Sequence, residues 1–386
     1  MIYADHAATT PVRREALEAM WPYLTDRFGN PSSHHTAGES AAAGLEDART
    51  SIAQVLGVRA GDLVFTGSGT EADNLAVKGI ALGRPRGRHL ITSPLEHEAV
   101  LASANYLARL HGFEVDYLTP DRDGLVSAVE LAGLIRPDTT LVSVQYANNE
   151  IGTVQPLADL AQVTRAAGVP LHTDAVQAAG GLPLDVATLG VDALSLSGHK
   201  VGAPQGIGLL WVRGRFPLEP VLHGGGQERG RRSGTQNVPG AVALAAALTA
   251  AETERESVST RLTGLRVRFT STVLGHVPGA QLTGPAERRL PASASFVFDG
   301  TGGEAVLLEL ERRGILCSSG SACAAGSDEP SHVLTALGLP EDLARTAVRF
   351  TFGPETTEAE AEGAARAVVE SVAAIRQAYP AGMSLP

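Results

Sequence analysis

Between about residue 60 and residue 215, short β-branched runs alternate with stretches of helical periodicity. This alternation is typical of a largely parallel sheet with helices on both faces, because parallel strands need helix-length crossover connections. Seven strands are predicted, at 62–66, 88–93, 113–118, 139–147, 169–174, 192–197 and 206–212. The sequence therefore indicates an α/β fold with a mostly parallel seven-stranded sheet.

The regions flanking the sheet have a different pattern. An amphipathic helix is predicted before the sheet, ending at Gly57. After residue 215 we predict an Ala-rich helix at 238–256, a separate charged helix beyond it, and then mixed strands and helices. We expect a large domain at 14–255 and a smaller α+β domain formed by 1–13 and 256–386, packed closely because no low-complexity linker separates them.

Composition narrows the class of protein. The formal net charge of −11 argues against a general nucleic-acid or membrane surface, since both partners are anionic. No apolar run reaches the roughly 18 residues of a membrane span, and the first residues lack a signal-peptide core, so we expect a cytoplasmic protein. Cys317 and Cys323 are the only cysteines, too few for a disulfide framework, which leaves a thiol with a chemical task possible.

The first candidate site follows the strand at 62–66. Ligands of open α/β sheets bind beyond the carboxyl ends of the strands. Here Gly67 and Gly69 allow close backbone approach, and Thr70 opens a helix whose free N–H groups could bind a phosphate. The same Gly-Ser-Gly-Thr turn could equally be a plain helix cap.

Two further strands end in residues that carry chemistry. One ends at Asp174, with His172 two residues before it and Gln177 one turn after it. An aspartate in this position often caps the next helix. The other strand ends at Ser197, and Lys200 projects from the following loop. That lysine is either a solvated loop residue or an amine that forms a Schiff base with a carbonyl.

In combination, these strand ends match the needs of pyridoxal 5'-phosphate, which requires an anion site, an acid for its ring nitrogen and a lysine for its aldehyde. His97, just past the strand at 88–93, could lie flat on the ring, although a helix-starting histidine is often structural. The residues up to Lys200 also fit a Ser-x-x-Lys hydrolase pattern, but the companion motifs SDN and KTG do not occur.

The two cysteines have different surroundings in the sequence. Cys317 closes an apolar strand, and we expect it to behave as a small buried hydrophobe. Cys323 lies in a run of small residues at 318–327, for which we expect a loop with much freedom to move. Its thiol is either an incidental surface group or a reactive nucleophile.

Taken together, the sequence resembles the cysteine desulfurases of the class V aminotransferase group, within it the type that serves nitrogen fixation and general iron–sulfur assembly. The resemblance runs nearly end to end. It rests on AATTPV, FGNPSS, FTGSGTEADNLA, EHEAV, NNEIG, HTDAVQ, LSGHK, GGGQERGRRSGT and SSGSACAAG, in that order. It implies the fold of type I pyridoxal-phosphate enzymes, of which aspartate aminotransferase is the model, and a homodimer.

Carried over to this sequence, the resemblance implies roles for individual residues. Asp174 would contact the ring nitrogen and Gln177 the phenolic oxygen, while His97 stacks on the ring. Asn149 and Arg349 would hold the substrate carboxylate. The implied cofactor-binding residues are Gly69, Thr70, Asn149, Asp174, Gln177, Ser197, His199, Lys200 and, from the neighbouring subunit, Thr235.

The implied activity is pyridoxal-phosphate-dependent removal of sulfur from L-cysteine. Lys200 would hold the cofactor and then move the substrate proton, and Cys323 would attack the substrate sulfur and become a persulfide. The implied acceptor is an iron–sulfur scaffold or a tRNA-thiolation enzyme, and no metal site is expected. Alternatives are a selenocysteine lyase, another class V activity, or a scaffold that has lost its chemistry. Retention of the chemical residues argues against the scaffold.

Overall fold

The fold was analysed in a computed structural model of the chain, which describes residues 1–83, 85–214, 216–319 and 330–378. Its strands are β1 Ile2–Tyr3, β2 Leu63–Thr66, β3 His89–Thr92, β4 Glu114–Tyr117, β5 Thr139–Ser143, β6 Leu171–Asp174, β7 Ala193–Ser197, β8 Gly208–Val212, β9 Ala280–Leu282, β10 Ser293–Phe298, β11 Ile315–Leu316 and β12 Val348–Thr351.

The helices fill the intervals between these strands. They are α1 Arg14–Thr25, α2 Thr36–Leu56, α3 Gly69–Gly83, α4 Glu98–His111, α5 Ala128–Leu134, α6 Leu157–Ala167, α7 Val186–Leu189, α8 Val238–His276, α9 Gly303–Arg312, α10 His332–Ala336, α11 Glu341–Ala344 and α12 Glu358–Ala378. Short 3₁₀ turns lie at Ala60–Asp62, Gly198–Lys200 and Glu228–Gly230. No helix in the described ranges combines the length and apolar character needed to cross a membrane.

The central sheet has seven strands in the order β2-β8-β7-β6-β5-β3-β4. All seven predicted strands are present in it, so the α/β prediction is confirmed. Strand β8 runs antiparallel to both its neighbours, and the other pairs are parallel. Because β3, β5, β6 and β7 are parallel, their carboxyl ends meet at one edge of the sheet, which is where the candidate site lies.

The helix predictions are confirmed in part. Helix α2 ends at Gly57, which has φ 68° and needs the left-handed freedom of glycine. The prediction of two separate helices after residue 237 is wrong, because α8 is one helix of 39 residues. No glycine or proline interrupts the sequence between Ala241 and Thr263, and the Glu and Arg residues there are good helix formers.

A second core lies in the C-terminal part of the chain. It is built around the three-stranded antiparallel sheet β12-β10-β9, where Phe269 packs against the rings of Phe296, Phe350 and Phe352. The chain's first residues belong to this region, since β1 pairs with β11. The domain division at 255 stays a prediction, and α8 runs through that position.

A buried ion pair between Arg49 and Glu228 holds the glycine-rich loop at 224–235, which follows the last strand of the central sheet. Glu228 receives hydrogen bonds of 2.9 Å from Nη1 and Nη2 of Arg49, 2.9 Å from Gln236 Nε2 and 3.0 Å from the Phe65 N–H. Burial would raise the pKa of Glu228, but the hydrogen bonds and charge of Arg49 hold it below its ordinary value. Glu228 and Arg229 have φ of 48° and 59°, a strained backbone that this network holds in place.

We predict that Glu228→Ala destabilises the fold by about 3–5 kcal/mol, because it leaves the Arg49 charge buried without its partner. The pair is nearly inaccessible, with side chains 2% and 1% exposed. The matched control is Glu18→Ala, which breaks an ion pair with Arg14 whose side chains are 63% and 87% exposed. Thermal unfolding followed by fluorescence measures both variants. Equal shifts for the two would contradict the prediction.

Candidate active site

The structure brings three of the predicted site residues together beyond the sheet edge. Asp174 ends β6, Lys200 lies in the turn after β7, and His97 precedes α4. Burial raises the pKa of Asp174, while the His97 charge, a 2.8 Å hydrogen bond from the Val176 N–H and the Lys200 charge lower it. A buried carboxyl beside the Lys200 ammonium and a backbone N–H donor can hold a negative charge that would otherwise be costly.

Lys200 is only partly exposed and lies against the start of the chain. Its Nζ donates to the Ala7 carbonyl and, at 2.8 Å, to the Ala8 carbonyl. Gln177 Nε2 donates to the same Ala7 carbonyl at 3.0 Å. A cavity of about 810 Å³ is lined by Ala7, Gln177 and Lys200, among others. The amine is therefore both positioned by backbone carbonyls and reachable by a small molecule.

The predicted phosphate-binding turn packs tightly against the strand ends. A Cβ added to Gly69 would lie 2.8 Å from Val176 Cγ2 and 3.0 Å from Ser197 Cβ, so only glycine fits there. The α3 N-terminus is thereby held beside the Ser197 hydroxyl. Ser68 Oγ accepts the Glu71 N–H at 3.1 Å, and Glu71 accepts the Gly67 N–H at 2.7 Å. The Ser68 and Glu71 side chains thus cap the start of α3, and the positive end of the helix dipole there favours a bound anion.

The two histidines of the site have distinct environments. His97 Nδ1 accepts the Ala99 N–H at 3.0 Å, so the structural role considered for it, a helix cap, is present. This bond leaves Nε2 as the donor nitrogen of its ring. Burial and then the Lys200 charge lower the pKa of His199 to about 4, so its imidazole is neutral at pH 7. His199 Nδ1 lies 3.1 Å from Thr9 Oγ1.

Arg349 on β12 is a buried cation whose Nε has no hydrogen-bond partner among the described residues. Its Nη2 donates to Asp5 Oδ1 at 2.8 Å and its Nη1 to the Asn149 carbonyl at 3.1 Å. The side chain is 2% exposed, and Nε has no hydrogen-bond partner in the described ranges. A guanidinium held in this way is suited to a carboxylate ligand. The sequence reasoning missed Asp5, for which no local pattern gave a signal.

One predicted residue is not brought into this group, and another cannot be placed in it. Thr235 is exposed, and no hydrogen bond or ion pair among the residues described connects it with the others. Cys323 lies outside the described residues. Cys317 is partly buried, and burial, followed by the Asp5 charge, raises the pKa of its thiol to about 12 despite the opposing charge of Arg349. Cys317 therefore stays protonated at neutral pH.

Buried acids beneath the site were also missed. Asp73 lies on α3 one turn beyond Gly69, and Glu96 immediately precedes His97; both are essentially inaccessible. Burial raises the pKa of each well above its ordinary value. One signal was available, since Asp73 lies among Ala72, Leu75 and other residues that form the apolar face of α3.

The profile of the Aminotransferase class-V family matches residues 2–363 of the chain. The chain belongs to the class-V aminotransferase family. A cysteine desulfurase IscS of Dictyoglomus turgidum is 43% identical over 358 residues, which are 92% of this chain and 91% of that protein. A solved NifS-like protein covers 96% of the chain and 99% of its own length, with 36% identity and a TM-score of 0.90.

A third relative adds a ligand to the comparison. The structure of SspA in complex with cysteine covers 92% of this chain and 100% of its own, with 39% identity and a TM-score of 0.81. The cofactor of this class-V aminotransferase is pyridoxal 5'-phosphate. The residues present fit it, because the capped α3 N-terminus packs on Ser197 and the buried Asp174 lies beside a lysine.

We predict that native Cys317 resists alkylation. With a pKa of about 12, roughly one molecule in ten thousand carries the reactive thiolate at pH 8. Iodoacetamide treatment at pH 8, followed by peptide mass spectrometry, should modify Cys323 and leave Cys317 unmodified. The same treatment in denaturant should modify both. Extensive native labelling of Cys317 would show that its thiol is not shielded.

Proposed function

We propose that this class-V aminotransferase is a cysteine desulfurase, which converts L-cysteine to L-alanine and leaves the sulfur as a persulfide on Cys323. The observation that carries the proposal is the nearly full-length identity, 43% over 358 residues, to a protein named cysteine desulfurase. The relative that was solved with cysteine supports the substrate. The geometry around Arg349 supports an amino-acid substrate, since a carboxylate suits its unused donor.

Pyridoxal 5'-phosphate, when bound, supplies an electron sink for the charge that remains when a substrate carbon loses a proton. Its phosphate would be held by the first turn of α3 with Ser197, His199 and the partner's Thr235. Asp174 would pair with the ring nitrogen, and the 2.8 Å hydrogen bond from the Val176 N–H supports its negative charge. Gln177 would contact the phenolic oxygen of the cofactor, and Asn149 would contact both cofactor and substrate. His97 would lie on the cofactor ring.

The substrate is oriented by its carboxylate. Asp5 and the Asn149 carbonyl fix the Arg349 guanidinium, so that Nε can donate to that carboxylate. Lys200 then takes the proton from the substrate α-carbon, for which its amine must be neutral. The Ala7 and Ala8 carbonyls hold Nζ in place for this transfer.

Sulfur transfer is assigned to Cys323, because Cys317 is held protonated. The Cys323 thiolate attacks the substrate sulfur and forms an S–S bond. The C–S bond breaks with its electron pair going to carbon, which takes up protons to give alanine. The persulfide sulfur then passes to an acceptor protein, for which we propose an iron–sulfur scaffold or a tRNA-thiolation enzyme in the cytoplasm.

We propose that the working form is a homodimer. Leu17, Trp21 and Leu24 recur on one face of α1 and are exposed, and Phe28 just beyond it is also exposed. Large apolar side chains grouped in this way favour association. Thr235 is exposed as well, as it must be to reach the cofactor phosphate of a neighbouring subunit.

The activity is tested by supplying L-cysteine and a reductant and measuring both alanine and sulfide. We expect equal amounts of the two. Cys323→Ser should keep the cofactor absorbance and its change on adding cysteine, but should lose both products, and Lys200→Ala should lose the spectral change as well. Undiminished alanine from Cys323→Ser would contradict the assigned nucleophile. Alanine from L-selenocysteine alone would indicate a selenocysteine lyase.

A composite active site predicts complementation between inactive subunits. Lys200→Ala and Thr235→Ala homodimers should each have low activity, because each site lacks one proposed group. Mixed dimers contain one site with neither substitution, so mixing should restore up to about half of the activity per mixed dimer. A fully active monomer at high dilution, shown by analytical ultracentrifugation, would contradict the proposed dimer.

A further inference from the structure

A polar chain beneath the site is not used by the proposed reaction. Its first member, Asp73, is 1% exposed and faces the sheet from α3. Its Oδ1 has no hydrogen-bond partner in the described part of the molecule and lies 3.8 Å from His172 Nε2. Burial and then the Asp174 charge raise the pKa of Asp73. A hydrogen bond from the Ser195 hydroxyl lowers it, and the Glu96 charge raises it further.

The rest of the chain runs across three parallel strands. His172 Nε2 lies 2.9 Å from Ser195 Oγ on β7, and its Nδ1 lies 2.8 Å from Ser143 Oγ on β5. His172 is completely buried, and burial lowers its pKa to about 3. The imidazole is therefore neutral at pH 7 and has one N–H to donate. His172 precedes Asp174 by two residues on β6, so both side chains lie on the same face of the strand.

The direction of this chain depends on one proton. If Asp73 is ionised, it accepts from Ser195, Ser195 accepts from His172 Nε2–H, and Nδ1 accepts from Ser143. If Asp73 is protonated, each hydrogen bond has the opposite direction. Asp73 donates to Ser195, Ser195 donates to His172 Nε2, and His172 carries its hydrogen on Nδ1 and donates it to Ser143. The tautomer of His172 thus reports the protonation state of Asp73.

The surrounding charges decide between the two states. His97, the Val176 N–H and the Lys200 charge lower the pKa of Asp174, whereas the charges that act on Asp73 within the described residues are those of Asp174 and Glu96, which raise its pKa. Glu96, from the segment before α4, adds a third carboxyl, which accepts the Gln145 N–H at 2.9 Å. Two neighbouring negative charges in a buried site are unfavourable, and the charge is retained on Asp174, which has the Lys200 charge and the Val176 N–H beside it.

We propose that Asp73 is a positioning residue that remains a neutral carboxylic acid and heads a one-way hydrogen-bond chain through Ser195, His172 and Ser143. The chain leaves Asp174 as the charged acid beneath the cofactor ring and ties the phosphate-binding helix to β5, β6 and β7. The second part of this inference rests on the role proposed above for Asp174. The first part rests on the chain's own contacts alone.

The protonation state is tested by NMR of the holoenzyme labelled with ¹⁵N-histidine. Long-range ¹H–¹⁵N correlations distinguish the two tautomers, and His172→Gln identifies the signal by its loss. We expect neutral His172 with the hydrogen on Nδ1 from pH 6 to 8. Hydrogen on Nε2, or an imidazolium, would overturn the proposal. This readout requires neither turnover nor a correct role for Asp174.

The role toward Asp174 is tested by substituting the acid. Asp73→Asn is neutral and keeps a donor, so pyridoxal 5'-phosphate should bind within about threefold of the parent, with an unchanged midpoint in the pH titration of the bound cofactor's absorbance. Asp73→Leu removes the donor and should weaken binding at least tenfold. A midpoint shifted by a full pH unit in Asp73→Asn would show that Asp73 normally carries a charge and would overturn the proposal.

The matched control is a second aspartate–histidine pair away from the site. Asp116 Oδ2 lies 3.1 Å from Nε2 of the buried His89, at the far edge of the sheet. Asp116→Asn should change neither the His172 signal nor cofactor binding. If Asp174→Ala also leaves cofactor binding unchanged, the proposed function fails at that residue, while the His172 tautomer still decides the state of Asp73.

Discussion

The hydrogen bonds of residues 4–10 connect the two cores of the molecule at the candidate site. Ala4 pairs with both β11 and β12, through bonds of 2.7 Å to the Leu316 carbonyl and 2.8 Å from the Thr351 N–H. A few residues later, the Ala8 carbonyl accepts from Lys200 and the Thr10 N–H donates to His199. This segment, which contains a turn closed by the Ala8 N–H bond to the Asp5 carbonyl, connects Arg349, on the small sheet, with Lys200, beside the large one.

The parts of the site that sequence could predict are those that local chain order dictates. Asp174 ends a strand, and Lys200 and His97 follow strands, of one mostly parallel sheet, so their proximity follows from topology. The Asp5–Arg349 pair joins residues 344 positions apart, in elements with no periodic signal to relate them. Asp73 was not predicted for a different reason. Its polar neighbour His172 lies on a strand that faces α3 and not on α3 itself.

The limits of the fold prediction have equally physical causes. Periodicity detects helices well but detects the junction between two helices poorly, and in α8 an Ala-rich half and a charged half share one unbroken hydrogen-bond ladder. No local sequence pattern relates the glycine-rich loop after β8 to Arg49 or Phe65, yet Glu228 is held by four hydrogen bonds from Arg49, Phe65 and Gln236. The proposed ligand of Thr235 is the cofactor phosphate of a neighbouring subunit, so a single chain cannot show that contact.

The Asp5 carboxylate connects substrate binding with the choice of thiol. It orients Arg349, which makes it part of the proposed carboxylate site, and it opposes ionisation of Cys317, which burial already disfavours. A thiolate at Cys317 would also compete with the substrate carboxylate for the same guanidinium. Keeping Cys317 neutral therefore protects Arg349 for its ligand. A protonated Cys317 leaves Cys323, the other cysteine of the sequence, for the proposed attack on the substrate sulfur.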